Sequence, residues 1–368
     1  MRARRSIVAV SILIILLLVL SGCGKRKSSN NNPGGPGEPK NYRLNIVTNG
    51  YGTVEISPEL DDYVAKTKVK LQAKPEPGWS FSHWSIAAKE TPITDNPYNP
   101  DTYGHVTGPQ KAKGTMITDN PYNLIIEEDL TIEVVFEFSE SIQAAIDGAS
   151  DGDVIVVPTG TYYENIVING KNITLRSTNP TDRSVVEKTV IDGRGSGSVV
   201  TIINGANGEL SGFTITNGGG TLKDVWNGGE LKPHLCGGGI YIENASPTIS
   251  RNIISGNINT GTSYSPPGLG GGIYVAGSKP HIKENEISNN GHSQCIALGG
   301  GIYLYEATDT LIDGNEIKSN SAAFGGGITL DYTHAIVSNN TITGNFAYIH
   351  PEIFHWGDSK AHYYNDED

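Results

Sequence analysis

The amino-acid sequence predicts an all-β protein dominated by a parallel β-helix, with a small β module in front of it. Three observations predict this fold. Glycine is abundant and methionine is rare, at 46 and 2 of 368 residues, which is typical of a β-rich extracellular chain. The motif Gly-Gly-Gly-Ile begins at residues 237, 270, 299 and 325, and the motif Asn-x-Ile-x-x-Asn follows each copy. Such repeats are typical of a solenoid.

The repeat units keep a constant core. Counted from the first Gly to the last Asn, the cores span 21, 21, 22 and 21 residues, whereas the segments between them shorten from 12 to 8 to 4. Within a core, aliphatic residues alternate with polar ones in three short runs, and Ile240, Ile249 and Ile254 mark three inward positions of the first unit. Three strands per unit predict coils stacked about 4.8 Å apart. The repeated Asn residues suit corners, because Asn tolerates a left-handed backbone and its amide can bond to the same Asn one coil away.

The chain before the repeats carries a family resemblance. Residues 141–149 form an amphipathic helical pattern, and residues 152–162 and 173–177 follow as strand-like runs. This order resembles the start of the pectin-lyase-like right-handed β-helix superfamily, and the resemblance extends to about Asn345. It implies a single-stranded right-handed parallel β-helix over residues 139–368, with an N-terminal capping helix that closes the coil stack. It implies no single activity, because the superfamily includes lyases, hydrolases, esterases, epimerases and adhesins.

Residues 41–138 predict a small β module of short alternating strands separated by Gly, Pro and Asn-Gly turns. Segments 50–54, 77–84 and 134–136 resemble the internalin-type B-repeat family of bacterial surface proteins. We expect Trp79 and Trp84 to build the core of this module rather than to stack on a sugar. Residues 93–99 recur identically as residues 117–123, a duplication that we interpret as a spacer.

Residues 1–23 resemble a bacterial lipoprotein signal peptide. A basic start is followed by an apolar run from Ile7 to Leu20, too short to cross a bilayer comfortably, and by Ser21-Gly22-Cys23. The resemblance implies a lipobox in which Cys23 is the site of lipid attachment, so that the lipid anchor alone ties the protein to the membrane. Residues 24–40 then form a flexible linker. We expect a location on the bacterial envelope, facing outside or the periplasm, and Gly24 favours the outer membrane if the host has one.

Charge and cysteine content limit the partners. A balance of 27 Lys and Arg against 39 Asp and Glu gives a net charge of −12, which excludes nucleic acid as an expected partner. Besides Cys23, the chain has Cys236 and Cys295, which either form a disulfide or stay free thiols.

The variable segments 219–236, 258–269, 291–298 and 321–324 predict a wall that leaves one corner of the coils and shortens along the axis. Such a wall would border a groove for an elongated ligand, and we expect a polysaccharide or cell-surface glycan there. Phe324 and His292 also lie in the wall. The candidate ligand-binding residues, from the wall and an outward strand column, are Trp226, His234, Tyr241, Tyr264, Tyr274 and Tyr303. A tyrosine ladder that stabilises the sheet explains Tyr241, Tyr274 and Tyr303 equally well.

Evidence for catalysis in the sequence is weak. A polysaccharide lyase needs a cation, often calcium, and a base, for which Lys283, Asp313 and Asp331 are the candidates. Lys283 and Asp313 fall in one column one coil apart, however, so an ion pair explains both. The Asn-Thr-Asp and Gly-His-Gly elements of polygalacturonases are absent. We therefore favour a non-catalytic surface lipoprotein that binds polysaccharide or mediates adhesion, with a calcium-dependent polysaccharide lyase or other carbohydrate-active enzyme as the alternative.

The C-terminal segment contains His350, His355 and His362. Scattered histidines are more often solvated than metal-bound, so we expect no metal site there. Because no further Gly-Gly-Gly follows residue 327, we expect this segment to cap the last coil.

Overall fold

The computed structural model describes residues 40–86, 115–227, 230–259, 267–291 and 297–364. Residues 41–368 belong to one compact unit. The predicted signal peptide with Cys23, nearly all of the linker, the first copy of the duplicated segment, Tyr264, His292 and Cys295 lie outside the described residues. No helix in the described part of the chain is long and apolar enough to cross a membrane.

The described part of the N-terminal module is all-β. A four-stranded sheet of order β2-β9-β6-β7 packs with a three-stranded sheet of order β3-β5-β8, while β1 pairs with β4. Its strands are β1 (Asn41–Tyr42), β2 (Leu44–Asn49), β3 (Gly52–Ser57), β4 (Tyr63–Val64), β5 (Thr67–Pro75), β6 (Trp79–Ile86), β7 (Thr115–Ile117), β8 (Tyr122–Ile126) and β9 (Leu130–Phe138).

Trp84 lies fully buried in the core of this module, as expected, and its indole N–H donates to the carbonyl of Asp119. Trp79 packs against that core but is only partly buried, so one side of its ring stays accessible. The duplicated segment 117–123 is not a spacer, so that interpretation is wrong for this copy. Tyr122 pairs with Leu71 in the sheet, and the Asn120 amide both donates to and accepts from the backbone of Ala73. This copy is therefore part of the folded module, with Ile117 at the end of β7 and Tyr122 at the start of the edge strand β8.

The rest of the chain forms the coils. The first elements are α1 (Ile142–Gly148), β10 (Val154–Val157), β11 (Gly160–Tyr162), β12 (Ile166–Asn169), β13 (Thr174–Ser177), α2 (Arg183–Val186), β14 (Thr189–Asp192), β15 (Val200–Ile203), β16 (Glu209–Ser211), β17 (Thr214–Thr216), β18 (Thr221–Asn227) and β19 (Glu230–Cys236). Then follow β20 (Ile240–Glu243), β21 (Thr248–Ser250), β22 (Ile253–Ser255), β23 (Gly268–Leu269), β24 (Ile273–Ala276), β25 (His281–Lys283), β26 (Glu286–Ser288), β27 (Ile302–Tyr305), β28 (Thr310–Asp313), β29 (Glu316–Lys318), β30 (Ile328–Asp331), β31 (His334–Ser338), β32 (Thr341–Thr343), β33 (Ile353–Trp356) and β34 (Lys360–Tyr364).

Each coil gives one strand to each of three parallel sheets, so the predicted parallel β-helix is confirmed. Sheet 1 has the order β10-β13-β16-β21-β25-β28-β31-β34, sheet 2 has β11-β14-β17-β22-β26-β29-β32, and sheet 3 has β12-β15-β20-β24-β27-β30-β33. The predicted inward residues Ile240, Ile249 and Ile254 are fully buried in one continuous core. Each such burial contributes about 1.5–3 kcal/mol, and β-branched side chains suit the strands.

The corners are built by glycine and asparagine. A Cβ on Gly238 would lie 2.5 Å from the carbonyl oxygen of Gly271 in the next coil, so only glycine permits the stacking distance. Two buried ladders of amide-to-amide hydrogen bonds run through the other corners, one of them linking Asn257, Asn290, Asn320 and Asn345. The expectation that these Asn adopt the left-handed backbone is wrong. The residue before each ladder Asn adopts it, as Gly256 does with a φ of 70°.

Helix α1 closes the first coil, with Ile142 and Ile146 buried against the core. Its N-cap is Ser141, and the Glu164 carboxylate accepts from the backbone N–H groups of Ile142 and Gln143. At the other end, Lys171 donates to three backbone carbonyls, those of Ile146, Asp147 and Ala149. Both helix ends are therefore satisfied by side chains of opposite charge that match the helix dipole.

The C-terminal segment lies over the last Gly-Gly-Gly coil, as expected of a cap, and it does so as strands that extend two of the sheets. Strand β33 pairs with β30 in sheet 3, and β34 pairs with β31 in sheet 1. The segment therefore forms a further coil without a Gly-Gly-Gly motif.

Candidate functional site

The variable segments leave the coils at one corner, between sheets 2 and 3. Their last residues form a column of parallel pairs, in which Cys236 pairs with Leu269, Leu269 with Leu298, and Leu298 with Phe324. The pairing continues from Phe324 to Ile349 in the coil that follows. Segment length falls from 18 residues at 219–236 to four at 321–324.

The longest segment folds as the hairpin β18–β19 and covers the outer face of sheet 3. Tyr241, Tyr274 and Tyr303 point away from the coil core as expected, yet each is at most 3% exposed, because they form a second core with Val225 and Cys236. The Tyr241 and Tyr274 rings lie 5.3 Å apart and 12° from parallel, and the Tyr274 and Tyr303 rings lie 5.7 Å apart. This geometry favours the tyrosine ladder over a sugar platform, since a ligand would first have to displace the hairpin.

The phenols of the ladder are anchored by carboxylates. Tyr241 donates to Glu243 at 2.9 Å, and Lys223 of the hairpin forms an ion pair with the same carboxylate at 2.6 Å. Tyr303 donates to Asp331. Burial raises the pKa of all three ladder tyrosines above the ordinary value of 10.0, so the phenols remain protonated donors.

The other wall residues serve the hairpin or lie outside the described part. His234 is buried, its Nδ1 donates to the carbonyl of Lys232, and burial lowers its pKa below the ordinary value of 6.5. Trp226 pairs with Leu231 across the hairpin, and its side chain lies outside the described residues. Cys236 is a buried free thiol. Of the two alternatives predicted for Cys236, a disulfide or a free thiol, the structure therefore has the free thiol, and Cys295 lies outside the described residues.

At the end of the coil stack, aromatic rings lie on β33 of sheet 3 and on the corner segments beside it, and several of them are exposed. We call Phe324, Phe346, Tyr348, Phe354 and Trp356 the aromatic platform. Tyr348 is 74% exposed, Phe346 51% and Trp356 46%. Three of its rings contact one another: Phe354 lies 5.4 Å from Phe324 and 5.7 Å from Trp356, with His350 stacked on Phe354 at 5.6 Å.

The aromatic platform continues the outward column of the ladder. Tyr303 pairs with Thr329, and Thr329 pairs with Phe354, so the same outward position is buried in one part of the stack and partly exposed in another. Of the five platform residues, only Phe324 lies in the wall that the sequence predicts. The alternation Ile353-Phe354-His355-Trp356 is the signal that was missed, because without a Gly-Gly-Gly motif the last coil did not look like a coil. Exposed aromatic patches of this size mark interaction surfaces.

The three catalytic candidates are not brought together. Lys283 and Asp313 are neighbours in sheet 1, as the repeat alignment predicts, whereas Asp331 lies on sheet 3. The expected ion pair is absent among the described residues, because Asp313 instead accepts from Ser338 at 2.7 Å and from Asn339. In the part of the chain that the structure describes, no three His, Cys, Asp or Glu side chains are grouped to hold a metal ion.

Asp331 is the most perturbed of these carboxylates. Burial raises its pKa above the ordinary value of 3.8, although the hydrogen bond from Tyr303 opposes the shift. One carboxylate oxygen, Oδ1, is buried without a hydrogen-bond partner. The arrangement places the Asp331 side chain at the end of the ladder, where it orients Tyr303.

Comparisons with known proteins agree with this architecture. A family model described as divergent InlB B-repeat domain matches residues 42–100. A cell surface glycoprotein of Methanothermus fervidus is 35% identical over 128 residues, which are 33% of this chain and 17% of that protein. No solved structure matches the chain significantly. The family model described as right handed beta helix region matches residues 159–352, more than half of the chain. The chain belongs to the right-handed β-helix family.

Proposed function

We propose that this chain is a cell-surface lipoprotein that binds polysaccharide through the aromatic platform. The observation that supports the proposal most is the exposure of Tyr348, Phe346 and Trp356 at the end of the coil stack, where Phe354 beside Trp356 continues the column whose upstream tyrosines are buried. Exposing such rings to water is unfavourable, and a ligand that covers them recovers that free energy. Sugar rings present apolar C–H patches that suit aromatic faces, and the parallel coils offer an elongated surface to an elongated chain.

The surface location rests on three supports. The relative in Methanothermus fervidus carries the name cell surface glycoprotein. The N-terminal module matches the B-repeat model, and the B-repeat family that it resembles is one of bacterial surface proteins. Residues 1–23 have the order expected of a lipoprotein signal peptide, with Cys23 as the proposed lipid attachment site. Residues 24–40 would then extend the β module and the β-helix away from the membrane, the outer one if the host has two.

Affinity electrophoresis of soluble residues 24–368, which lack Cys23, tests the binding function. Gels would contain pectic, alginate or glycosaminoglycan chains, with and without calcium. We expect retardation by at least one polysaccharide. Each lost ring contact is worth about 1 kcal/mol, so Trp356→Ala and Tyr348→Ala should each weaken binding about fivefold.

Tyr363→Ala is the matched control, because Tyr363 is 57% exposed on β34 of sheet 1, away from the aromatic platform. It should bind like the parent chain. Equal losses in all three variants, or retardation by no polysaccharide, would rule out the platform as a glycan site. The same incubations should be assayed for new unsaturated or reducing ends, and their appearance would replace the binding proposal with the lyase alternative.

A further inference from the structure

We propose a second binding site, for an oligosaccharide that carries protonated amines, in a cleft where the β module meets the first coils. The cleft has a volume of about 910 Å³. Its lining includes Trp79 and Phe138 from the module and Tyr162, Tyr163 and Glu164 from the coils. A volume of this size falls in the range of small-ligand sites, and such sites favour the junctions between structural units.

The walls of the cleft are fixed before any ligand arrives. The Trp79 indole N–H donates to the carbonyl of Val156 at 2.9 Å and so ties β6 to β10. Phe138 contacts Trp79 on one side at 5.5 Å and Tyr162 on the other at 6.1 Å, both edge to face. Tyr162 also donates to the carbonyl of Pro158. A rigid aromatic wall lowers the entropy cost of ordering a bound sugar.

The cleft is acidic as well as aromatic. Glu137, Glu140 and Glu164 contribute to the lining, and lysine and arginine are absent from its described lining. Glu164 is already held by the N-terminus of α1, and the Glu137 carboxylate accepts from the Ser82 hydroxyl at 3.0 Å, so Glu140 is the lining carboxylate left to face a ligand. Arg194, which is not part of that lining, is stacked over the Tyr163 ring at 4.0 Å. A site with carboxylates beside aromatic faces attracts a cation in two ways: the carboxylates form ion pairs with it, and the rings make cation–π contacts.

A sugar is the occupant that these contacts favour. The aromatic faces suit its apolar C–H patches, the carboxylates accept from its hydroxyl groups, and a protonated amine complements the acidic lining of a chain with a net charge of −12. This site is separate from the aromatic platform at the other end of the stack, and the inference does not depend on the platform being a glycan site.

Isothermal titration of soluble residues 24–368 with glucosamine tetramer and with N-acetylglucosamine tetramer tests the proposal. At about pH 6 the free amines are charged and the acetylated ones are neutral. We expect the glucosamine tetramer to bind at least about tenfold more tightly than the N-acetylglucosamine tetramer. One hydrogen bond between charged groups contributes about that factor to the affinity. Glu140→Gln should remove most of that preference, and Tyr163→Ala should weaken both tetramers. Glu127→Gln, an exposed substitution outside the cleft, should change neither.

Equal affinity for the two tetramers, no heat with either, or unchanged binding by Glu140→Gln would each overturn the proposal. Binding of a short oligolysine peptide in place of the tetramer would also overturn it and would assign the cleft to a protein partner. Trp356→Ala, which lies in the aromatic platform, should leave tetramer binding intact. The experiments can therefore refute either binding proposal without refuting the other.

Discussion

Replacing Asn320 with alanine removes a central link of one asparagine ladder. The Asn320 side chain makes four hydrogen bonds: it donates to the carbonyl of Ile287 and to the amide oxygen of Asn345, and it accepts from the backbone and side-chain N–H groups of Asn290. Asn320 is fully buried, so water cannot replace these bonds. Alanine would leave donors and acceptors of three residues unsatisfied in an apolar corner.

The expected loss follows from those four bonds. A net contribution of about 1 kcal/mol for each bond gives a loss of about 4 kcal/mol in the free energy of unfolding. This is a large part of the 5–15 kcal/mol or so that stabilises a typical domain. Asn345 also makes four side-chain hydrogen bonds, but it is 7% exposed and one of its partners is Glu352, so water can replace part of them and Asn345→Ala should cost less.

Urea denaturation followed by circular dichroism measures the difference. Asn45→Ala, an exposed asparagine on β2, is the matched control and should unfold at the parent urea concentration. An Asn320→Ala variant as stable as the control would show that the ladders add nothing to stability. An Asn345→Ala loss equal to that of Asn320→Ala would refute the account in which burial of the bonds sets the size of the loss.

Two further perturbations test the ladder end and the helix cap. The folded state raises the pKa of Asp331, so folding disfavours the ionised carboxylate. The free energy of unfolding therefore falls as the pH rises above the ordinary pKa of 3.8. Asp331→Asn should therefore raise the melting temperature more at about pH 7 than at about pH 4, and an equal effect at both would contradict this. Lys171→Met leaves three C-terminal carbonyls of α1 without their donor and should cost about 2 kcal/mol by urea denaturation. Lys360→Met on the exposed edge of β34 is the control, and equal losses would exclude a special role for the cap.

The sequence by itself determined the coils. Inward residues such as Ile249 and Ile282 alternate with polar ones. Successive side chains of a strand point to opposite faces, so this local alternation alone determines which residues face the core and which face outward. The Asn ladders could also be predicted, because stacking coils at a constant distance brings identical side chains together. The position of α1 and the module core around Trp84 likewise followed from local pattern and family resemblance.

Only the tertiary structure decided which outward residues reach solvent. Tyr274 and Phe354 occupy the same face of sheet 3, and no local signal separates them, yet the β18–β19 hairpin buries the first and leaves the second partly open. The last coil was missed for a related reason. Gly326 must be glycine, because a Cβ there would lie 2.8 Å from the carbonyl oxygen of Pro351 in the next coil. No further described coil lies against Pro351, so the last coil can do without the Gly-Gly-Gly motif. Exposure depends on what distant segments cover, and that information is not local to the residues concerned.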